Sequence, residues 1–511
     1  MTLYRWSQTA SADATADPTI NWSEGQVPSS INDSARAMMA ATAKYRDDIA
    51  GALVTTGTST AYVVASNQQF DTLPHLNGQI IAFTPHVTNG APATLNVDSL
   101  GAKPDAPAAL AGLLVIDFTR VVAGPACTQT LGDFGAEVIK IEQPFKGDDT
   151  RAYEHAELGG ESAAFLSLNR NKRGMVLDLT VPQARDVARA LIAKADVLVE
   201  NFSSSVMEKF GLDYATVAST NPGLIYCSIS AYGRTGPFAW RSGFDPITQA
   251  ESGFMSLNGF ADGPPVRTGP PIIDLATGMS ACNAILLALA ARQRLGRGQH
   301  VEVALFDIAL AMTGFSGMAY LMNGLNPMRT GNSPNDSPTV GVYEASDGPL
   351  YVACANDRLY RRLVTAVFGR PDLLSDPRFA TRKARWANRA QLRGIIAEIM
   401  ASDRIDVWIS RMNQAGVPVG RVRTVEQAFN APEVKARDRI CRIPHPTASS
   451  IPNIEPAITM QLTPTVEPRA APCLGEHTLA ILRDRLGHTE QQIEALHQAG
   501  AFGQSGSAVQ A

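Results

Sequence analysis

From Leu113 onward the chain alternates short apolar runs with amphipathic or small-residue stretches, and this alternation limits its fold more than any other feature. LLVIDFT (113–119), EVIKIEQ (137–143), MVLDLT (175–180), DVLVENF (196–202) and LIYCSIS (224–230) read as strands. GPACTQTLGDFGA and VPQARDVARALIAKA (181–195), with Pro182 near its start, read as helices. Strands joined through helices pair in parallel, because each crossover returns the chain to the same end of the sheet, and helices then cover the sheet. Ligands of such sheets bind beyond the carboxyl ends of the strands. The chemistry is therefore expected in the turns that follow these runs.

A second feature is PIIDLATGMSA (271–281), which delivers one carboxylate, Asp274, to the start of an almost uncharged stretch reaching Leu295. Its Ala, Leu, Met and Ile content predicts a helix buried on most sides. Asp274 then has two readings. It caps the helix, accepting from the orphan amides of the first turn. Alternatively it is a nucleophile, kept ionised by the helix N-terminus, with Ala276, Thr277, Gly278 and Ser280 leaving room for a substrate. The residues alone leave both open.

Composition removes several classes of function. At 511 residues the chain has length for two or three domains, and its net charge of -4 gives no footprint for nucleic acid or an anionic membrane. Any anionic ligand must be held by local groups. Six cysteines (Cys127, Cys227, Cys282, Cys354, Cys441, Cys473) are scattered without a CxxC pair. This argues against a zinc site or a disulfide framework and fits a reducing cytoplasm. No signal-peptide pattern is expected, and no uncharged apolar run of about 18 residues occurs outside the helix after Asp274. With Ser280, Cys282 and Asn283 inside it, that helix reads as core.

Residues 1 to 105 follow a different pattern: they hold the whole net charge, no cysteine, and short apolar runs (AYVVA, QIIAF, ATLNV) between turn signals such as Asn89-Gly90. Only 30–49, SINDSARAMMAATAKYRDDI, has helical spacing. INWSEGQVPSSINDSARAMMA (20–40) and PATLNVDSLGAKP (92–104) resemble N-terminal parts of bacteriophage tail and tail-fibre proteins. Nothing in this segment looks catalytic.

The turns after Leu113 carry a longer resemblance. FTRVVAGPACTQTLGDFGAEVIKIEQPFKGDDTR (118–151), SLNRNKRGMVLDL (167–179), ADVLVENF (195–202), YCSISAYGRTGP (226–237), GRGQHVEVALFD (296–307) and LGEHT (474–478) look, in that order, like the motifs of the class III CoA transferases, the family of formyl-CoA transferase and the carnitine CoA transferase. The resemblance implies an α/β fold: a Rossmann-like large domain built from both ends of the transferase region (108–330 and 431–502), a smaller α+β domain (331–430), the β-rich appendage (1–105) and a flexible tail (503–511). It also implies an interlocked homodimer, no metal, no cofactor beyond CoA as substrate, no nucleic acid or membrane partner, and a cytoplasmic location.

For the site, the resemblance implies that Asp274 is the nucleophile, passing CoA from an acyl-CoA to a carboxylic acid through a mixed anhydride and an aspartyl-CoA thioester. Amides near Asp274 or in a mobile glycine-containing loop would stabilise the oxyanions. CoA would meet Val122, Ala123, Gln143, Leu177, Thr180, Asn201, Phe202 and Lys209; Phe244, Gly331 and Asn332 would line the substrate pocket. Formyl-CoA transferase has glutamine at Val122, arginine at Gln143 and lysine at Thr180. Loss of those two cations leaves Lys209, Lys172, Arg173 and Arg151 as candidate phosphate partners. Related α-methylacyl-CoA racemases have a histidine base where this chain has Phe244, which cannot move a proton. Phe244 otherwise reads as a core residue, and His300, His445 and His477 as structural. The alternatives are a racemase or other CoA-thioester enzyme on the same fold, and a structural phage-tail-type protein with an inactive transferase-like body.

Overall fold

The computed structural model describes residues 108–153, 156–333 and 337–503, with short stretches between residues 42 and 104. The chain divides into two compact units, 1–111 with 458–466 and 112–457 with 467–511. Among the described residues of the first unit, Thr56–Thr58, Ala61–Val64, Thr94–Val97 and Ala102–Pro104 form a four-stranded sheet in that order. Of the helix expected over 30–49, residues 42–43 and 45–49 are described and are helical. The tail-like stretch 20–40 and, apart from Gly503, the expected tail 503–511 lie outside the described residues.

The second unit is organised by a six-stranded, wholly parallel sheet. Its strands are β1 (Leu114–Asp117), β2 (Glu137–Glu142), β3 (Lys172–Val176), β4 (Val197–Glu200), β5 (Ile225–Ser230) and β6 (Gln299–Ala304), and they lie side by side in the order β3-β2-β1-β4-β5-β6. This order reverses direction between β1 and β4, and the crevice at such a reversal is where dinucleotide-type ligands bind. Helix α1 (Ala123–Asp133) joins β1 to β2, and α2 (Pro182–Ile192), with Pro182 at its first position, joins β3 to β4. Pro fits there because the N–H it lacks is one of the helix's orphans.

β3 starts three residues before the apolar run that signals it and ends at Val176, inside it. The missed residues are KRG. Lys172 pairs there because its side chain turns under the sheet, where its ammonium meets Asp117 at 3.1 Å, Asn169 Oδ1 at 2.8 Å and the Pro125 carbonyl at 3.0 Å. The shorter strand moves Leu177 and Thr180 out of the sheet and into its carboxyl-end loop.

Helix α3 (Asp245–Glu251) and the long α4 (Ile272–Leu295) follow β5. α4 is the one helix among the described residues long and apolar enough by itself to cross a membrane. Its buried residues Ile273, Thr277, Ala281, Ile285 and Ala288 share one face, and Gly278 lies so close to α1 that a Cβ there would stand 2.6 Å from the Ala123 carbonyl oxygen. Away from that face Met279, Leu286 and Leu287 are exposed. The expectation of a helix buried on most sides is thus corrected to one buried face within this chain. Beyond β6, the helices α5 (Leu305–Met312) and α6 (Gly314–Asn323) expose Phe315, Leu321 and Met322. A separate core, including Tyr343, Leu350, Trp408 and Met412, forms around β7 (Val340–Ala345), β8 (Gly348–Ala353) and β9 (Val419–Arg421), an antiparallel sheet flanked by helices.

Candidate active site

Two adjoining clefts open at the carboxyl ends of the parallel strands. The first, about 670 Å³ with its open mouth, is lined by Arg120, Glu142, Gln143, Asp148, Leu177, Thr180 and Phe202 among others. The second, about 900 Å³ with its open mouth, is lined by Arg120, Val122, Ala123, Asn201, Phe202, Arg234, Arg241, Phe244 and Asp274 among others. Seven of the eight residues assigned to CoA therefore line these clefts. Lys209 is the exception: it is exposed on the short helix Val206–Phe210 and lines neither.

The turn after β1 is fixed from several sides. Asp117 accepts from Thr119 N and Oγ1 and from Thr128 Oγ1, while Lys140 Nζ donates to the Thr119 carbonyl and to Asp148. The Asn201 side chain, after β4, accepts from Arg120 N at 2.9 Å and donates to Arg120 O at 2.8 Å. Asp148 accepts from Val121 N, and Val121 sits at φ 69°, a left-handed conformation that a β-branched residue adopts only under constraint. Asp117 is buried, which alone would raise its pKa; Lys172 and Lys140 outweigh that and hold it at about 2. Burial lowers Lys172 to about 8 despite Asp117. These opposed charges are the scaffold of the turn.

They also correct three phosphate assignments. Lys172 is enclosed under the sheet. Arg151 is held by Glu142 and Glu161 and stacked on Phe165. Arg173 pairs with Glu137 and Asp484. None of the three lines either cleft.

Asp274 stands in the first turn of α4, but the N-cap position belongs to Pro271. The carboxylate that accepts from the orphan amides is that of Asp245, which takes Ile273 N at 2.7 Å and Asp274 N at 3.2 Å. Gln249 Nε2 donates to its other oxygen at 2.5 Å and is itself tied to Thr268. With capping done by a neighbouring helix, Asp274 faces the cleft, and among the described residues no group hydrogen-bonds its carboxylate. Burial, and then the Asp245 charge, raise its pKa to about 7. The expectation that the helix N-terminus keeps it ionised is corrected: desolvation by burial outweighs the helix N-terminus. The same amides, taken by Asp245, are not available as oxyanion donors.

Phe244 caps α3 through its backbone and is 62% exposed at the cleft wall, so it is not a core residue. Among the described residues no histidine lines either cleft: His300 bonds Ser228 and stacks on Tyr214, His445 accepts from Thr447 N, and His477 accepts from Gly174 N. Gly331 donates to the Gly259 carbonyl and, like Asn332, is not among the lining residues; the loop's centre, 334–336, lies outside the described residues. Sequence reasoning missed Arg120 and Asp245. Arg120 follows its strand directly and was legible as a turn residue, whereas Asp245 stands 29 positions from its hydrogen-bond partner and left no local signal.

A parallel sheet reversing at β1 and β4, with two adjoining clefts there and a buried carboxylate facing one of them, makes a site suited to an extended ligand. Comparison with known proteins agrees. The chain belongs to CoA-transferase family III, whose family model matches residues 110–478. It is 40% identical over 383 residues to the succinate--glutarate CoA-transferase of Agrobacterium fabrum, covering 73% of this chain and 95% of that one. It is 40% identical to the acetyl-CoA:oxalate CoA-transferase of Acetobacter aceti, covering 67% and 87% respectively. A solved CAIB/BAIF family protein from Brucella suis superposes with a TM-score of 0.67 at 37% identity, over 73% of this chain and 98% of that one.

Proposed function

We propose that this CoA-transferase works by covalent relay through Asp274, and that small dicarboxylates are its acceptor class. The observation that carries the relay is a buried carboxylate at a helix head, relieved of capping by Asp245 and open to a cleft. An oxygen of ionised Asp274 attacks the thioester carbonyl, the C–S bond breaks, and CoA leaves as thiolate. The thiolate attacks the Asp274 carbonyl of the mixed anhydride, the donor acid leaves as carboxylate, and Asp274 holds CoA as a thioester. The acceptor carboxylate repeats the two steps in reverse order, restoring Asp274 with no net proton change. Dicarboxylates are supported by the acids in the relatives' names. A mass-spectrometric screen of acyl-CoA donors against mono- and dicarboxylates tests this; transfer confined to monocarboxylates rejects the acceptor class.

The mechanism needs ionised Asp274, and its raised pKa lies within the working range. For the free enzyme, kcat/KM should rise with pH through about 7 and level off above it. A profile flat from about pH 5.5 to about 8.5 contradicts this assignment.

The homodimer implied by the family is the partner that suits the exposed apolar faces of α4 and α6, with Phe315 at 90% and Met322 at 82% exposure. Patches of this kind on a folded chain mark an interface. Sedimentation equilibrium should give a dimer at micromolar concentration, and Phe315→Asp with Leu321→Asp should shift it toward monomer. A wild-type monomer under those conditions counts against the assembly.

A further inference from the structure

Resting on the CoA-transfer reading, we propose that Arg120 holds the diphosphate of CoA at the seam between the two clefts. The clefts share two lining residues, Arg120 and Phe202, which follow β1 and β4 on either side of the sheet reversal. In CoA the diphosphate joins adenosine to the pantetheine arm. A molecule with its thioester at Asp274 and its adenosine among Gln143, Leu177 and Thr180 therefore has its diphosphate at that shared edge.

Charge points to the same side chain. Arg120 is the one cation lining the first cleft among the described residues. Gln143 and Thr180, both neutral, turn their donors to the Gly147 carbonyl and to Asp178. In the second cleft Arg234 is taken by Glu200 at 2.7 Å and Arg241 by Glu251 at 2.7 Å. Among the described residues the acidic partner of Arg120 is Asp149, at 3.4 Å, with the Arg120 side chain 41% exposed and that of Asp149 50% exposed. Such a loose, solvated pair is weak enough for a doubly charged ligand to displace.

The backbone supports the guanidinium as a fixed pivot. Asn201 clasps both backbone groups of Arg120, and Asp148 holds Val121 next to it. The guanidinium carbon lies 5.3 Å from the centre of the Phe202 ring, a contact with the ring face that does not use the N–H groups needed by phosphate oxygens.

Calorimetric titration of the full chain with CoA, dephospho-CoA and pantetheine tests the assignment. Arg120→Ala should lose about 10- to 100-fold in affinity for both CoA and dephospho-CoA, which share the diphosphate, so that their advantage over pantetheine shrinks by that factor. Arg120→Lys should recover much of it, and added salt should weaken the wild type more than the Ala variant. Unchanged advantage over pantetheine in Arg120→Ala overturns the proposal, as does a loss confined to CoA, which would place the contact on the ribose phosphate. A wild type that binds none of the three overturns the CoA reading beneath it. Thermal melting of both variants checks that the fold is intact.

Discussion

Asp274→Asn should leave a folded protein whose CoA transfer is lowered by several orders of magnitude. The amide can form neither the mixed anhydride nor the thioester, so no weaker version of the relay remains. Folding should survive because the α4 amides are satisfied by Asp245. The stability change has a sign that separates nucleophile from cap. Asp274 has its pKa raised from 3.8 to about 7 in the fold, so its ionisation opposes folding. That penalty is absent below pH 3.8, grows as pH rises through the interval, and is complete above about 7. Asn does not ionise, so the variant should match the wild type in acid and exceed it in melting temperature at pH 8, whereas loss of a cap would lower the melting temperature throughout. In the wild type, a competent acyl-CoA followed by hydroxylamine should convert Asp274 to its hydroxamate, readable by peptide mass. Wild-type transfer rates in the Asn variant, with no hydroxamate, would end the mechanism proposed.

Lys140→Met should destabilise the chain by about 3–5 kcal/mol, the range seen when one partner of a buried ion pair is removed. Lys140 and Asp148 have fully buried side chains 2.9 Å apart, and Lys140 also holds the Thr119 carbonyl. Methionine fills similar volume but leaves the Asp148 carboxylate without its charge partner. Because Asp148 also holds Val121, the turn that carries Arg120, Val122 and Ala123 should loosen, and CoA affinity should fall with stability. Adding Asp148→Asn should restore part of the stability, since a neutral amide is less costly to bury unpaired. Urea unfolding of the set measures the coupling. A single variant within about 1 kcal/mol of wild type would show the pair to be dispensable.

The sequence by itself determined the parallel sheet and the identity of its ligand-bearing turns. Apolar strands and helices alternate within runs of a few residues, and the spacing of Leu114, Ile116, Ile139 and Leu198 follows from local backbone geometry that any reader of the chain can apply. It also brought Asp274 forward, because one carboxylate before an apolar helix is conspicuous wherever it stands. What it could not decide was whether that carboxylate caps. The answer depends on Asp245, brought to the head of α4 by packing of α3 against it. Likewise Lys172, Arg151 and Arg173 look like free cations in the sequence. Only the tertiary structure encloses them with Asp117, Glu142, Glu161 and Glu137 and leaves Arg120 at the seam. Periodicity is a property of neighbours along the chain. The state of a charge is set by which groups, tens or hundreds of residues away, folding places against it and by how much water it removes.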